Sequence, residues 1–529
     1  MSTPSPTPAT LSAQRTRDWL NDGQEVALLD LREAGQFGEG HPFFAIPLPY
    51  SRLELDARRL LPRLDVRVVL LDDGDGVAER GAHRLHQLGY TQVHVLQGGA
   101  PAWAAAGYTL FQGVNLPSKT FGELVEARFH TPHISAAELH RRQQAGEALV
   151  LLDGRTLAEH RKMTIPGAVS LPNGELAARW AAQVPDSSTP IVVHCAGRTR
   201  SIIGAEILRH LGLPNPVLAL ENGTQGWALA GLTLEHGSQR QAPGTVSADA
   251  SVQAAARRDA EAAGAPRLSV AQAQAWLDDP ARSTYVLDVR SEAEYRAATL
   301  PGARHAPGGQ LLQATDQSIA VRRSRVLLLD HEDVRAPVIA AWLRRMGYEA
   351  ATVEGGIHAP LRLQQPEDWT PPAGLRITAP ALPDWVRQHQ PTLIDVQASM
   401  AYRQQHATGA RWGVRPRLGR ALAQAPAADQ ARPVLVLAPS ADVAQLNAAE
   451  LGEAGWTQVH WALQADWLAA GLPVEASPDN PSDAEAIDYL FFVHDRHDGN
   501  LEAARRYLAW ETGLIAQCQP DELAAFRLG

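Results

Sequence analysis

Cys195 is one of only two cysteines in 529 residues. It stands in VVHCAGRTRSIIGA, residues 192–205, where an apolar run ends at the thiol, a short turn carries Arg198 and Arg200, and an apolar-periodic segment follows. A turn between the end of a strand and the start of a helix points backbone N–H groups into one concavity, which is an anion site by construction. A thiol at its lip, near a helix N-terminus and two guanidinium groups, is favoured as the nucleophilic thiolate. Ala196 and Gly197 are small and let an anion approach the backbone closely. His194 precedes the thiol, and strand alternation turns it to the opposite face, so no base role is assigned to it.

The elements that must position this thiol are written four times. Apolar runs end in Asp30, Asp153, Asp288 and Asp395. Arg32, Arg155 and Arg290 follow two residues on, with Gln397 in the fourth copy. Fifteen residues after each aspartate comes an alanine: Ala45, Ala168, Ala303 and Ala410. Then come a second apolar run, a helix-like segment, and a Gly-rich turn that has degenerated in the fourth copy. Short apolar runs alternating with helical patterns read as parallel α/β units of about a hundred residues. SAAE from Ser135 and SVAQ from Ser269 read as capping boxes at helix starts.

In register, Cys195 aligns with Asp72 in the first copy and Asp330 in the third, and one residue later with Ala438 in the fourth. The thiol and the loop arginines are therefore expected in the second copy alone. The expected division is 10–117 inactive, 131–238 catalytic, 239–265 linker, 266–368 inactive, 374–476 degenerate, and a helical tail at 483–529. GVNLPSKTFGELVEARFHTP, at 113–132, reads as the linker joining the first two units, and the linker at 239–265 is Ala-rich and reads as part helix and part flexible. In the tail, NLEAARRYLAWETGLIAQ is amphipathic at helical spacing and should dock on a neighbouring unit.

The net charge of −10 argues against a general nucleic-acid binder and weakly against anionic membranes. No apolar run approaches a membrane span, and the first residues lack the pattern of a signal peptide. A cytoplasmic setting, with Cys195 reduced, is the expectation.

The Asp-x-Arg strand end, the IPGA turn at 165–168, the cysteine loop and NGTQGW at 222–227 resemble the rhodanese family of sulfurtransferases. The likeness runs over residues 10–476 as four consecutive rhodanese-like units. It implies an α/β fold in which each unit has a five-stranded parallel sheet with helices on both faces, followed by the helical tail. It implies that Cys195 takes a sulfur from a small anionic donor such as thiosulfate and passes it to cyanide or a thiol. The amides from Ala196 through Gly197 and Thr199 to Ser201 would cradle the persulfide, and Arg198 and Arg200 would bind the donor. Asp153 and Arg155 would support the scaffold, and no cofactor or metal is implied. Family tandems place the active site near the interface of an inactive and an active unit, here the first and second.

Two other readings stand beside this one. A phosphatase or arsenate reductase uses C-x5-R, and here Cys195 to Arg200 is C-x4-R, a loop one residue too short for a phosphoryl group. A non-catalytic scaffold with a redox-sensing Cys195 fits the three degenerate units. HDRHDGN at 494–500 has metal-like residue types without a ligand spacing and reads as a solvated loop or helix cap. Cys518 reads as a half-buried structural position, and Trp103, Trp227 and Trp467 as packing residues. Neither Gly-rich turn meets a dinucleotide fingerprint.

Overall fold

The computed structural model describes residues 8–244, 249–364, 369–423, 432–496, the backbone of residue 497, and 499–528. It contains four five-stranded parallel sheets with one shared strand order: first, fifth, fourth, second, third. In the second sheet the strands in chain order are His133–Ile134, Val150–Asp153, Val169–Ser170, Ile191–His194 and Val217–Leu220. Ile191–His194 lies centrally, paired with Val150–Asp153 on one side and Val217–Leu220 on the other. The fourth unit adds a small antiparallel pair, His406–Ala407 with Val474–Glu475.

Near-continuous apolar strands make sense because both faces of each sheet are covered. In the first sheet Ala27 and Leu29 enter one core while Val26 and Leu28 enter another. In the second, Leu152, Ile191 and Val193 face the first of these cores, and Leu151 and Val192 face a separate one. One face of each of the first three sheets therefore contributes to a single buried core, while the other face is closed locally. The fourth unit keeps its own two cores and joins the first through polar contacts. Arg415, buried, makes a bidentate pair with Glu54 at 2.6 and 2.8 Å.

Two segments read as connections are structural. GVNLPSKTFGELVEARFHTP contains the helix Leu116–Phe129, whose Phe121 and Val125 are buried in the shared core. The second linker contains the helix Ala250–Ala262, and residues 245–248 lie outside the described set. The tail forms helices Leu501–Thr512, Leu514–Gln517 and Pro520–Leu523. It reaches the first unit through Arg17–Asp521 and the third through the Arg527 amide, which donates to the Arg345 carbonyl at 2.7 Å. Ser269 and Gln272 form the expected reciprocal cap. At Ser135 only half forms, because the Glu138 carboxylate accepts from Arg141 and Arg142 instead. Trp103, Trp227 and Trp467 are buried, and each indole donates to the carbonyl six residues on.

Candidate active site

Asp153 ends its strand with no exposure and accepts from Arg155 at 2.9 and 2.7 Å, from His160 at 3.0 Å and from Thr164 at 2.9 Å. Burial opposes its ionisation, yet His194, Arg155 and His160 hold the carboxyl well below the usual carboxylate range. Arg155 also donates to the Met163 carbonyl, eight residues on. Arg32 and Arg290 repeat both bonds, and Gln397 repeats them with its amide. A motif with the same bonds in units with and without a thiol ties the strand end to the following helix.

Cys195 follows Ile191–His194 directly, and the helix Thr199–His210 begins four residues later. The thiol is 2% exposed and accepts a hydrogen bond from the Ser201 hydroxyl at 3.1 Å. The Gly-rich turn closes beneath it: the amide of Thr224 donates to the Cys195 carbonyl at 2.8 Å and that of Gln225 to the Ala196 carbonyl at 3.1 Å. Gly223, at φ +52°, allows this approach, since a Cβ there would lie 2.2 Å from the Cys195 oxygen. His194 is fully buried on the other side, and burial holds its imidazole down at about 4, so it is neutral near pH 7.

The two loop arginines part company. Arg200 lines the cavity beside Cys195 and is held by Glu159 in a bidentate pair at 2.9 and 2.7 Å. Burial would raise the Glu159 carboxyl, but Arg200 outweighs it and the group sits at about 2. Arg198 instead turns to the helix Leu116–Phe129, where Glu123 accepts at 2.8 and 2.9 Å and Glu126 also binds it. Arg198 is absent from the cavity wall.

That cavity, about 210 Å³, is lined by Cys195, Ala196, Gly197 and Arg200 of the loop. Lys119, Gln310, Arg496 and Tyr507 come from elsewhere in the chain. It therefore lies where the second unit meets the end of the first at Val114 and Asn115, as expected, and also the connecting helix, the third unit and the tail. Glu511 of the tail has a fully buried side chain. It accepts from Lys119 at 3.0 Å and from the Thr199 hydroxyl at 2.7 Å, which fastens the tail to the first turn of the cysteine-bearing helix. Arg496 lies over the Tyr507 ring at 3.5 Å. Lys119, Glu159, Arg496 and Glu511 were not singled out from the sequence. Glu159 alone had a local signal, because Thr156 and Glu159 form a reciprocal cap just after the Asp-x-Arg motif.

The sister loops show what this turn holds in place of the thiol. Asp72 accepts from the amides of Gly74 at 2.8 Å and Ala78 at 3.0 Å. Asp330 accepts from Asp333, Val334 and Ala336 at 3.1, 2.9 and 2.9 Å. Each carboxylate occupies the amide concavity of its own loop. One expectation needs correction: the third loop keeps an arginine in register with Arg200. Arg335 is fully buried and pairs with Glu294, the register partner of Glu159, at 2.8 Å on each arm. It also binds Glu175 of the second unit at 3.0 Å, so there it serves an interface between units. Of the other candidates, Cys518 is half-buried, bonds the Leu514 carbonyl at 3.3 Å and is pushed up to about 12 by burial. HDRHDGN includes residue 498 and the side chain of residue 497, which lie outside the described set.

The Rhodanese-like domain family matches residues 12–106, 135–230 and 269–360, over half of the chain. With the repeated sheet order and the cysteine loop, this places the protein in the rhodanese family, and its fold is that of a sulfurtransferase-like enzyme. A crystal structure of a thiosulfate sulfurtransferase from Pseudomonas aeruginosa is similar over nearly the whole length. It shares 39% identity at a TM-score of 0.90 and covers 98% of this chain and 99% of that one. An HTH-type transcriptional regulator of Mycobacterium tuberculosis is 37% identical over 107 residues, 20% of this chain. The chain spans 45% of that relative's length. Among the described residues no helix is long and apolar enough to cross a membrane.

Proposed function

We propose that the protein is a sulfurtransferase that carries sulfane sulfur as a persulfide on Cys195. The Cys195 thiolate attacks the outer sulfur of thiosulfate; the S–S bond of the donor breaks, and sulfite leaves with the bonding pair. The terminal sulfur of the persulfide is then attacked by cyanide or a thiolate, giving thiocyanate or a new persulfide and returning Cys195. This is a two-step cycle through a covalent intermediate.

The carrying observation is the loop itself. In two sister units the same turn seats a carboxylate on its amides, and in the second unit the thiol takes that place with Arg200 on the wall. Loop amides from Ala196 to Ser201 stabilise the persulfide's charge, and Arg200 meets the donor's oxyanion. Lys119 and Arg496 add positive charge to the same small space. A volume of about 210 Å³ suits a small anion and lies below the ~300–1,000 Å³ of drug-sized sites. The 39% identical thiosulfate sulfurtransferase supports the same donor.

The test is intact-mass measurement of wild type and Cys195→Ser after thiosulfate and then cyanide. Wild type should gain one sulfur and lose it to cyanide, and the variant should gain none. Equal sulfuration of both proteins, or none in either with several persulfide donors, removes the assignment.

A further inference from the structure

Another cavity lies apart from the thiol, with no lining residue in common with the Cys195 cavity. It measures about 820 Å³ and opens where the N-terminal edges of the first and third sheets face the end of the tail. Arg63, Arg67, Arg282, Arg323, Arg344 and Arg527 line it. Against these six guanidinium groups the wall carries three carboxylates, Glu25, Asp65 and Glu349, in a protein whose net charge is −10.

Those carboxylates are already engaged. Glu25, buried, accepts from the Ser283 amide at 2.9 Å and from Arg282 at 3.0 Å, and it pairs with Arg63 at 3.2 Å. Glu349 pairs with Arg282 at 2.8 Å and Asp65 with Arg63 at 3.1 Å. Arg67 is bound to Asp22 at 2.7 Å. Arg323, Arg344 and Arg527 have no carboxylate in salt-bridge range among the described residues. Burial, and the neighbouring charge of Arg527, pull Arg344 below the ordinary guanidinium range against the opposing pull of Glu349. The Arg323 Nε is buried with no hydrogen-bond partner. Arg323 also holds φ +65°, a conformation costly for any residue with a Cβ.

Like charges gathered on a concave wall repel each other and raise the local concentration of counter-ions. Guanidinium groups match phosphate oxygens in bidentate geometry, and a space of this size holds several linked phosphates. We propose that this cavity is a binding site for a linked phosphate chain, either inorganic or the di- or triphosphate of a nucleotide. The site draws on the first unit, the third unit and the tail, and it shares no lining residue with the Cys195 cavity.

Calorimetric titration of the full-length protein with sodium tripolyphosphate, pyrophosphate, ADP and adenosine tests this. Tripolyphosphate should bind saturably at one site, more tightly than pyrophosphate, and adenosine should not bind. ADP binding more tightly than pyrophosphate would assign the site to nucleotides; equal affinity would assign it to the phosphate chain alone. Arg527→Ala, at an exposed position, should weaken tripolyphosphate about tenfold, as one charge-assisted contact implies. Arg323→Gly should do the same while relaxing the backbone, so loss of binding cannot be ascribed to misfolding. The proposal fails if tripolyphosphate does not bind, if both variants bind as wild type, or if only Arg200→Ala abolishes binding, which would put the anion in the Cys195 cavity.

Discussion

The contact between Lys119 and Glu511 is the most demanding test of how the tail shapes the active site. The Glu511 side chain has no exposure and that of Lys119 has 10%. Glu511→Ala leaves the ammonium unpaired in the interior and strips the Thr199 hydroxyl of its acceptor. Removing one partner of a buried pair costs about 3–5 kcal/mol. The Tyr507 ring, 5.4 Å from the Lys119 nitrogen, recovers part of that, so the lower end applies. A loss of about 3 kcal/mol in local stability is roughly a hundredfold faster amide exchange across the helix Leu501–Thr512. Lys119→Met combined with Glu511→Leu leaves no buried charge and should return exchange to within about tenfold of wild type. The Glu511 carboxyl is pushed up by burial but brought below its ordinary value by Lys119, Thr199 and Arg496. A depressed carboxyl contributes stability above its unfolded value near 4.5 and loses it as pH falls through the lowered folded value. Exchange protection should therefore be flat from pH 6 to 8. Unchanged exchange in Glu511→Ala, or single losses that simply add in the double variant, would refute a docking role for this pair.

Stopped-flow sulfuration should separate the two loop arginines: Arg200→Ala should slow persulfide formation from thiosulfate about 10²–10³-fold. Arg198→Ala should cost less than tenfold in that rate, because Arg198 is spent on Glu123 and Glu126. Iodoacetamide at neutral pH should add once to wild type and not to Cys195→Ser, since burial keeps Cys518 protonated up to about 12; a single adduct on Cys518 by peptide mapping would contradict this. Asp316 is buried with one carboxylate oxygen unpartnered, and burial raises its carboxyl from 3.8 to about 7. A raised carboxyl gives stability that is full below its unfolded value and lost as pH rises to about 7. Asp316→Asn should therefore stabilise the protein at pH 8 by roughly 1–3 kcal/mol, and by little near pH 4, in thermal melts.

Much of the architecture was legible because its causes are local. Strand ends at Asp30, Asp153, Asp288 and Asp395 follow from short apolar runs, and the bonds that seal them span two and eight residues. The thiol's place between strand and helix is equally local, as is the glycine at 223 that lets the next turn close under it. Register across the repeats fixed which unit keeps the cysteine. The same register could have revealed Arg335, but its role at the contact with Glu175 depends on a residue 160 positions away.

What the tertiary structure decided is which long side chains face the Cys195 cavity. Arg198 and Arg200 are near-equivalent in sequence; a carboxylate 75 residues upstream claims the first, and one 41 residues upstream holds the second at the cavity. Lys119 read as part of a connecting segment and Glu511 as part of an amphipathic tail, 392 residues apart, until packing joined them against Thr199. Covalent neighbours set backbone geometry through short-range sterics and hydrogen bonds, so a sequence exposes it directly. Flexible charged side chains choose among partners by desolvation and Coulomb attraction, and those partners exist only once distant segments have packed.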